Sequence, residues 1–254
     1  MQIEAFSKRV LLILGSYAFS VVFVSFIHEV GHILAMFSIG VTQFSLMINP
    51  FTESYAMPLA HIPTERLLYL AVSGMVFQTI FFIIIGLLVW KKRSALMLPL
   101  MMCLPMSFIN VGSYLLMGNL FDGSDVVLIV DAGVPILLVQ IVGAVSLIIG
   151  IWVFTSLLSV AGFRKTDSGI EVFLPIFLGT GIYSMAMLVY GYFSGNGTMI
   201  GSMNIVSSLL SGIVYTLIFK KTRINIDSKI PSTMDSVKTL GIGLATIILT
   251  LIFF

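Results

Sequence analysis

Charge is what this sequence has least of. Only 9% of its 254 residues are Asp, Glu, Lys or Arg, while 58% are hydrophobic, against about 25% and roughly 45–50% in an ordinary globular chain. That balance excludes a soluble protein, and no polar stretch is long enough for a regulatory domain. Cysteine is nearly absent: Cys103 alone, inside an apolar run, excludes an internal disulfide and a cysteine-based metal cluster, and reads as a small core residue. A net charge of +2, with no basic stripe interleaved with aromatics, excludes a nucleic-acid partner. Strict polar–apolar alternation is missing too, which excludes a transmembrane barrel. There is no fixed-period repeat and no low-complexity tract.

What remains is apolar and helical. With 20 Phe, 15 Met and 22 Gly and a mean hydropathy of +1.11, the composition suits helices that face lipid and pack closely through small residues. Apolar stretches of membrane-spanning length fall near 10–38, 66–90, 95–117, 134–160, 171–193, 200–219 and 238–254. The fold class expected is therefore an all-α polytopic membrane protein of about seven transmembrane helices. Lys8 and Arg9 before the first run resemble the start of a signal peptide, but the run is too long and lacks a small-residue cleavage site, so it reads as retained. Seven spans with the N-terminus cytoplasmic put Lys8, Arg9, Lys91, Lys92, Arg93, Arg164, Lys165, Lys220, Lys221, Arg223, Lys229 and Lys238 on one side, leaving only Arg66 opposite. The C-terminus then lies outside, and 220–238 is a cytoplasmic loop. One irregular region, 41–64, holds Asn49, Pro50, Glu53, Pro58, His61 and Pro63 and is too polar and proline-rich to span lipid. Its first part, 41–48, suits a short β-like segment at the membrane surface after the first helix.

The chemistry concentrates in one place. His28-Glu29-Val30-Gly31-His32 lies inside the first apolar run, and at 3.6 residues per turn the two histidines project about 40° apart on one helix face. Two imidazoles so placed can share a zinc ion, with Glu29 beside them as a proton acceptor. A carboxylate at membrane depth costs at least about 2.5 kcal/mol unless it is paired or lines a wet cavity, so chance is a poor explanation. A third ligand should come from the same side of the membrane. A helix rises about 28 Å between Arg9 and His28, most of a hydrocarbon core of roughly 30 Å, which puts the histidines in the outer half. The outer loop Gly118-Asn119-Leu120-Phe121-Asp122-Gly123-Ser124-Asp125 then offers Asp122 as third ligand, Gly118 and Gly123 letting the backbone bend. Asp125 is the second choice, and either aspartate could instead cap a helix starting near Ser124. His61, in the outer loop, reads as solvated and would compete with Asp122 only as a ligand.

An apolar-embedded His28-Glu29-Val30-Gly31-His32 followed by Phe121-Asp122-Gly123 resembles the site-2 protease family of intramembrane zinc metallopeptidases. Ala71-Val72-Ser73-Gly74-Met75-Val76-Phe77-Gln78 is similar to the family's small-Gly-Pro segment ending in Asn, with Met75 in place of proline. Phe121 replaces the usual leucine, the asparagine–proline pair before the Asp-Gly is missing, and many members hold zinc nearer the cytoplasm. The resemblance covers the first three spans and the Asp-Gly loop. It implies a catalytic core over 1–133, with additional helices of unassigned role over 134–254. It implies zinc on His28, His32 and Asp122, with Glu29 as general base in peptide-bond hydrolysis of a membrane protein or peptide substrate. Asn110 or Asn119 would hydrogen-bond substrate or the developing oxyanion, and the 41–48 strand would hold an unwound substrate chain by edge addition. The competing functions are an ion or proton transporter using His28, Glu29, His32, Asp122 and Asp131, and an inactive membrane scaffold. Against transport, these groups gather at one depth, and the last three spans hold almost nothing ionisable.

Overall fold

The structure, a computed structural model, describes every residue except 1–2, 52–53, 93, 121–123, 195–197 and 222–230, and the side chains of 92 and 198–208 are likewise left aside. Eight α-helices and one hairpin follow in the order α1 (Ile3–Ser38), β1 (Phe44–Met47), β2 (Tyr55–Pro58), α2 (Thr64–Val89), α3 (Leu98–Met117), α4 (Asp125–Asp131), α5 (Ile136–Leu157), α6 (Gly169–Ser194), α7 (Thr198–Lys221) and α8 (Thr233–Phe253). Each expected span is a helix. Among the described residues six are long and apolar enough to cross a membrane, not seven. The seventh expected span, near 200–219, falls on α7, which includes the residues 198–208 left aside above. The chain is thus a multi-pass membrane protein.

Chain punctuation explains the boundaries. Gly40 ends α1 in the left-handed conformation, φ 84°: its N–H reaches Phe37 O and that of Val41 reaches Met36 O, closing a Schellman turn. Pro63 and Pro135 stand just before α2 and α5, where a missing N–H costs nothing. The expected β-like segment 41–48 holds β1, and a second strand, β2, pairs with it as an antiparallel hairpin, with Phe44 opposite Pro58 and Met47 opposite Tyr55. Strand β2 packs on α1.

Helix α1 is the hub, packed by α2, α3, α6 and α8. A methyl group on Gly15 would lie 2.4 Å from Thr239 O and one on Gly243 2.5 Å from Gly15 O, so α1 and α8 touch backbone to backbone. Further along, the rings of Phe26 and Phe254 are 6.1 Å apart. The two helices therefore run in the same direction, and their C-terminal ends lie at the same end of the bundle. At the α1 start, the buried Arg9 guanidinium donates to Gly162 O (2.6 Å) and pairs with Asp167 (2.8 Å), tying α1 to the turn between α5 and α6. At the other end of the bundle, the loop between the strands leans on α6: Tyr183 donates to Pro50 O, and the Phe51 ring lies 5.9 Å from Tyr183 and 5.3 Å from Tyr190.

Candidate metal centre

The histidines point where helical periodicity sends them, into the seam between α1 and α2. His28 Nε2 and His32 Nε2 are 3.0 Å apart. The seam is open to them because Gly31 and Gly74 face each other: a methyl group on Gly31 would fall 2.9 Å from Gly74 Cα, and one on Gly74 2.5 Å from His32 Nε2 and 2.7 Å from His28 Nε2. Nothing larger than glycine fits beside the imidazoles at that point.

Among the described residues the third group is Asp125, the second choice from sequence. Asp125 Oδ2 stands 3.2 Å from His32 Nε2 and 3.5 Å from His28 Nε2, and His28, His32 and Asp125 form a group that could hold a metal ion. Asp122, the first choice from sequence, lies outside the described residues together with its neighbours Phe121 and Gly123. What frees Asp125 is Ser124. Its Oγ accepts from Val127 N (3.3 Å) and donates to Gly118 O (2.6 Å), so serine caps α4 and the next side chain is left to face α1. The Asp125 N–H donates to Tyr114 Oη (3.0 Å), which fixes the backbone there. Asp125 sits on short α4, outside the spanning helices; burial works against its charge, but the two histidines outweigh burial and hold the carboxyl down, to about 2.

The outer nitrogens of both rings are committed. His32 Nδ1 lies 2.9 Å from Leu70 O, with Ser73 Oγ at 3.2 Å. A carbonyl only accepts, so the proton of neutral His32 is on Nδ1 and the lone pair is on Nε2. His28 Nδ1 lies 3.1 Å from Gln78 Oε1, and the same logic applies. Two imidazole lone pairs and a carboxylate oxygen thus converge with no hydrogen between them, an arrangement that calls for positive charge. Their separations of 3.0, 3.2 and 3.5 Å bracket the edge of about 3.3 Å expected for a tetrahedral ion with bonds of roughly 2.0–2.1 Å. A proton shared by the rings would satisfy only one edge. Nitrogen donors also disfavour calcium and magnesium, which take oxygen ligands.

Glu29 projects to the adjoining side of α1, where it is 5% exposed. Its carboxylate accepts from the backbone N–H of Ala56 in β2 and is near enough to His28, His32 and Asp125 to feel their charges. The hairpin therefore touches the glutamate through β2, not through the 41–48 stretch singled out in the sequence. Asn110 is drawn in as well: its Oδ1 accepts from Gln78 Nε2 (3.3 Å), and the residue is exposed. Asn119 is exposed on the turn after α3, and His61 and Asp131 are exposed and outside the metal-binding group. Sequence reasoning gave no role to Gln78 or Ala56; for Gln78 the available signals were a polar side chain in the middle of an apolar helix and its place at the end of the Ala71–Gln78 segment.

The site lies below one end of the bundle. At 1.5 Å per residue, His28 is about 15 Å from Ser38, Gly74 about 15 Å from Thr64 and Asn110 about 10 Å from Met117. All three measures converge on the end that carries the hairpin. Comparison of the chain with protein families, with curated proteins and with solved structures returns no match.

Proposed function

We propose that this protein is a zinc metalloprotease that hydrolyses peptide bonds of membrane-associated substrates within the outer part of the bilayer. The observation that carries the reading is the convergence of two lone-pair nitrogens and a carboxylate oxygen at tetrahedral spacing, next to a buried glutamate. The resemblance of His28-Glu29-Val30-Gly31-His32 to the site-2 protease motif adds to it.

Zinc, when bound by His28, His32 and an aspartate, would supply a Lewis acid that polarises a carbonyl and acidifies water. The residues of the chain do the rest. Glu29 accepts the proton of the attacking water as the new C–O bond forms and then delivers it to the leaving amine as the C–N bond breaks. Ala56 N–H holds the Glu29 carboxylate in one orientation for both transfers. The side of β2 that faces Glu29 offers an edge along which an unwound substrate chain can lie extended beside the base. Asn110, exposed beside the site, presents its amide to the same chain. With the N-terminus cytoplasmic and the C-terminus outside, Lys8, Lys91, Arg164, Lys165, Lys220 and Lys221 occupy the cytoplasmic end and the hairpin the outer surface.

The test is hydrolysis of membrane-spanning peptides by the purified protein in lipid nanodiscs, with Glu29→Gln beside it. Cleavage that needs zinc and is lost in Glu29→Gln, with zinc content unchanged, is the expected result. Zinc bound and no cleavage of any peptide, together with metal flux across vesicles that survives Glu29→Gln, would replace proteolysis with transport.

A further inference from the structure

Gln78 is a fully buried amide on α2 that touches all three helices of the site. Its Oε1 faces His28 Nδ1 on α1 (3.1 Å), and its Nε2 donates to Ser107 O and to Asn110 Oδ1 on α3 (3.3 Å each). These partners permit only one orientation of the amide. Ser107 O is a backbone carbonyl and can only accept, so the NH2 must face α3; Oε1 is then turned to His28 and can only accept. His28 must donate from Nδ1, which leaves its Nε2 lone pair directed at His32 and Asp125. The same amide accounts for Asn110: because Oδ1 receives the Gln78 N–H, the Asn110 NH2 is turned away, and it makes no hydrogen bond to the described residues.

We infer that Gln78 is a positioning residue that sets the tautomer of His28 and the amide direction of Asn110 together, coupling metal binding to the exposed amide beside it. The inference rests on the metal-site reading above. It needs a helix-borne acceptor at this point, because the His28 ring has no other partner for Nδ1 among the described residues. Partners of this kind, outside the ligands themselves, typically change metal affinity by about 10–100-fold when removed.

Two substitutions separate positioning from packing. Gln78→Met keeps the length and removes every hydrogen bond. Gln78→Glu keeps an acceptor for His28 Nδ1 and loses both donors to α3. In detergent, zinc affinity by chelator competition and the visible spectrum of the cobalt(II)-loaded protein are measured for both. Positioning predicts zinc affinity within about threefold of the unmodified protein for Gln78→Glu, with a tetrahedral cobalt spectrum, and a loss of about 10–100-fold for Gln78→Met. A purely structural bridge predicts the reverse order, because a buried carboxylate facing Ser107 O without donors harms packing more than an isosteric thioether does; that order, or equal affinities, overturns the inference. Loss of binding in Gln78→Glu alone also overturns it. Failure of the unmodified protein to bind zinc or cobalt would overturn the metal-site reading itself, a result distinct from any difference between the two variants.

Discussion

Replacing Gly74 by alanine should abolish metal binding in a protein that still folds. The added methyl carbon would lie 2.5 Å from His32 Nε2 and 2.7 Å from His28 Nε2, against 3.4 Å or more for ordinary contact. Relief therefore requires the His32 nitrogen to retreat by about 0.9 Å, and metal sites tolerate only about 0.2 Å in ligand distance. Neither ring can rotate away without breaking its Nδ1 bond to Leu70 O or Gln78. We expect zinc affinity to fall at least about 100-fold, or ~2.8 kcal/mol. Stability of the metal-free protein should change far less, since a helical Gly→Ala exchange gains up to ~1 kcal/mol while overpacking costs about 1–3 kcal/mol. The assay is zinc titration against a competing chelator in detergent, with circular dichroism melts of both metal-free proteins. Zinc affinity within about threefold of the unmodified protein, in a Gly74→Ala variant that melts normally, would refute the placement of the ion between the two Nε2 atoms and Asp125.

Three further predictions bear on the same frame. Asp125→Ala should lose bound zinc, and Asp122→Ala should keep it; metal analysis of the purified variants giving the opposite pattern would return the third-ligand role to Asp122. Ala56→Pro removes the N–H that Glu29 accepts and should lower peptide hydrolysis by at least about tenfold, with zinc content unchanged; unchanged hydrolysis would mean that β2 does not orient the base. Asp167→Ala leaves the buried Arg9 charge without its partner and should destabilise the bundle by about 3–5 kcal/mol, read as a shift of the unfolding midpoint in detergent. A change below about 1 kcal/mol would show that water already solvates that end.

His28, Glu29 and His32 were legible in the sequence because their geometry is local: a helix places positions four apart on one face whatever surrounds it. The membrane spans and the β-like segment after α1 were legible for a similar reason, since an apolar run of bilayer length leaves few alternatives and prolines and polar residues mark where it stops; the second strand, β2, was not. The third member of the candidate metal-binding group was not. Asp122 and Asp125 stand in one loop with equal chemistry, and the choice of Asp125 among the described residues follows from Ser124 capping α4 and from the approach of α4 to α2. Nor could the sequence pair Gln78 with His28 or Ala56 with Glu29, because those contacts join elements far apart in the chain. The parallel course of α1 and α8 likewise depends on Gly15 meeting Gly243, a match of surfaces rather than of periodicity. The sequence by itself determined the solvent, the helices and the residue types of the candidate site; the tertiary structure decided which nitrogen carries the proton, because a hydrogen bond needs a partner and the partners are brought by packing.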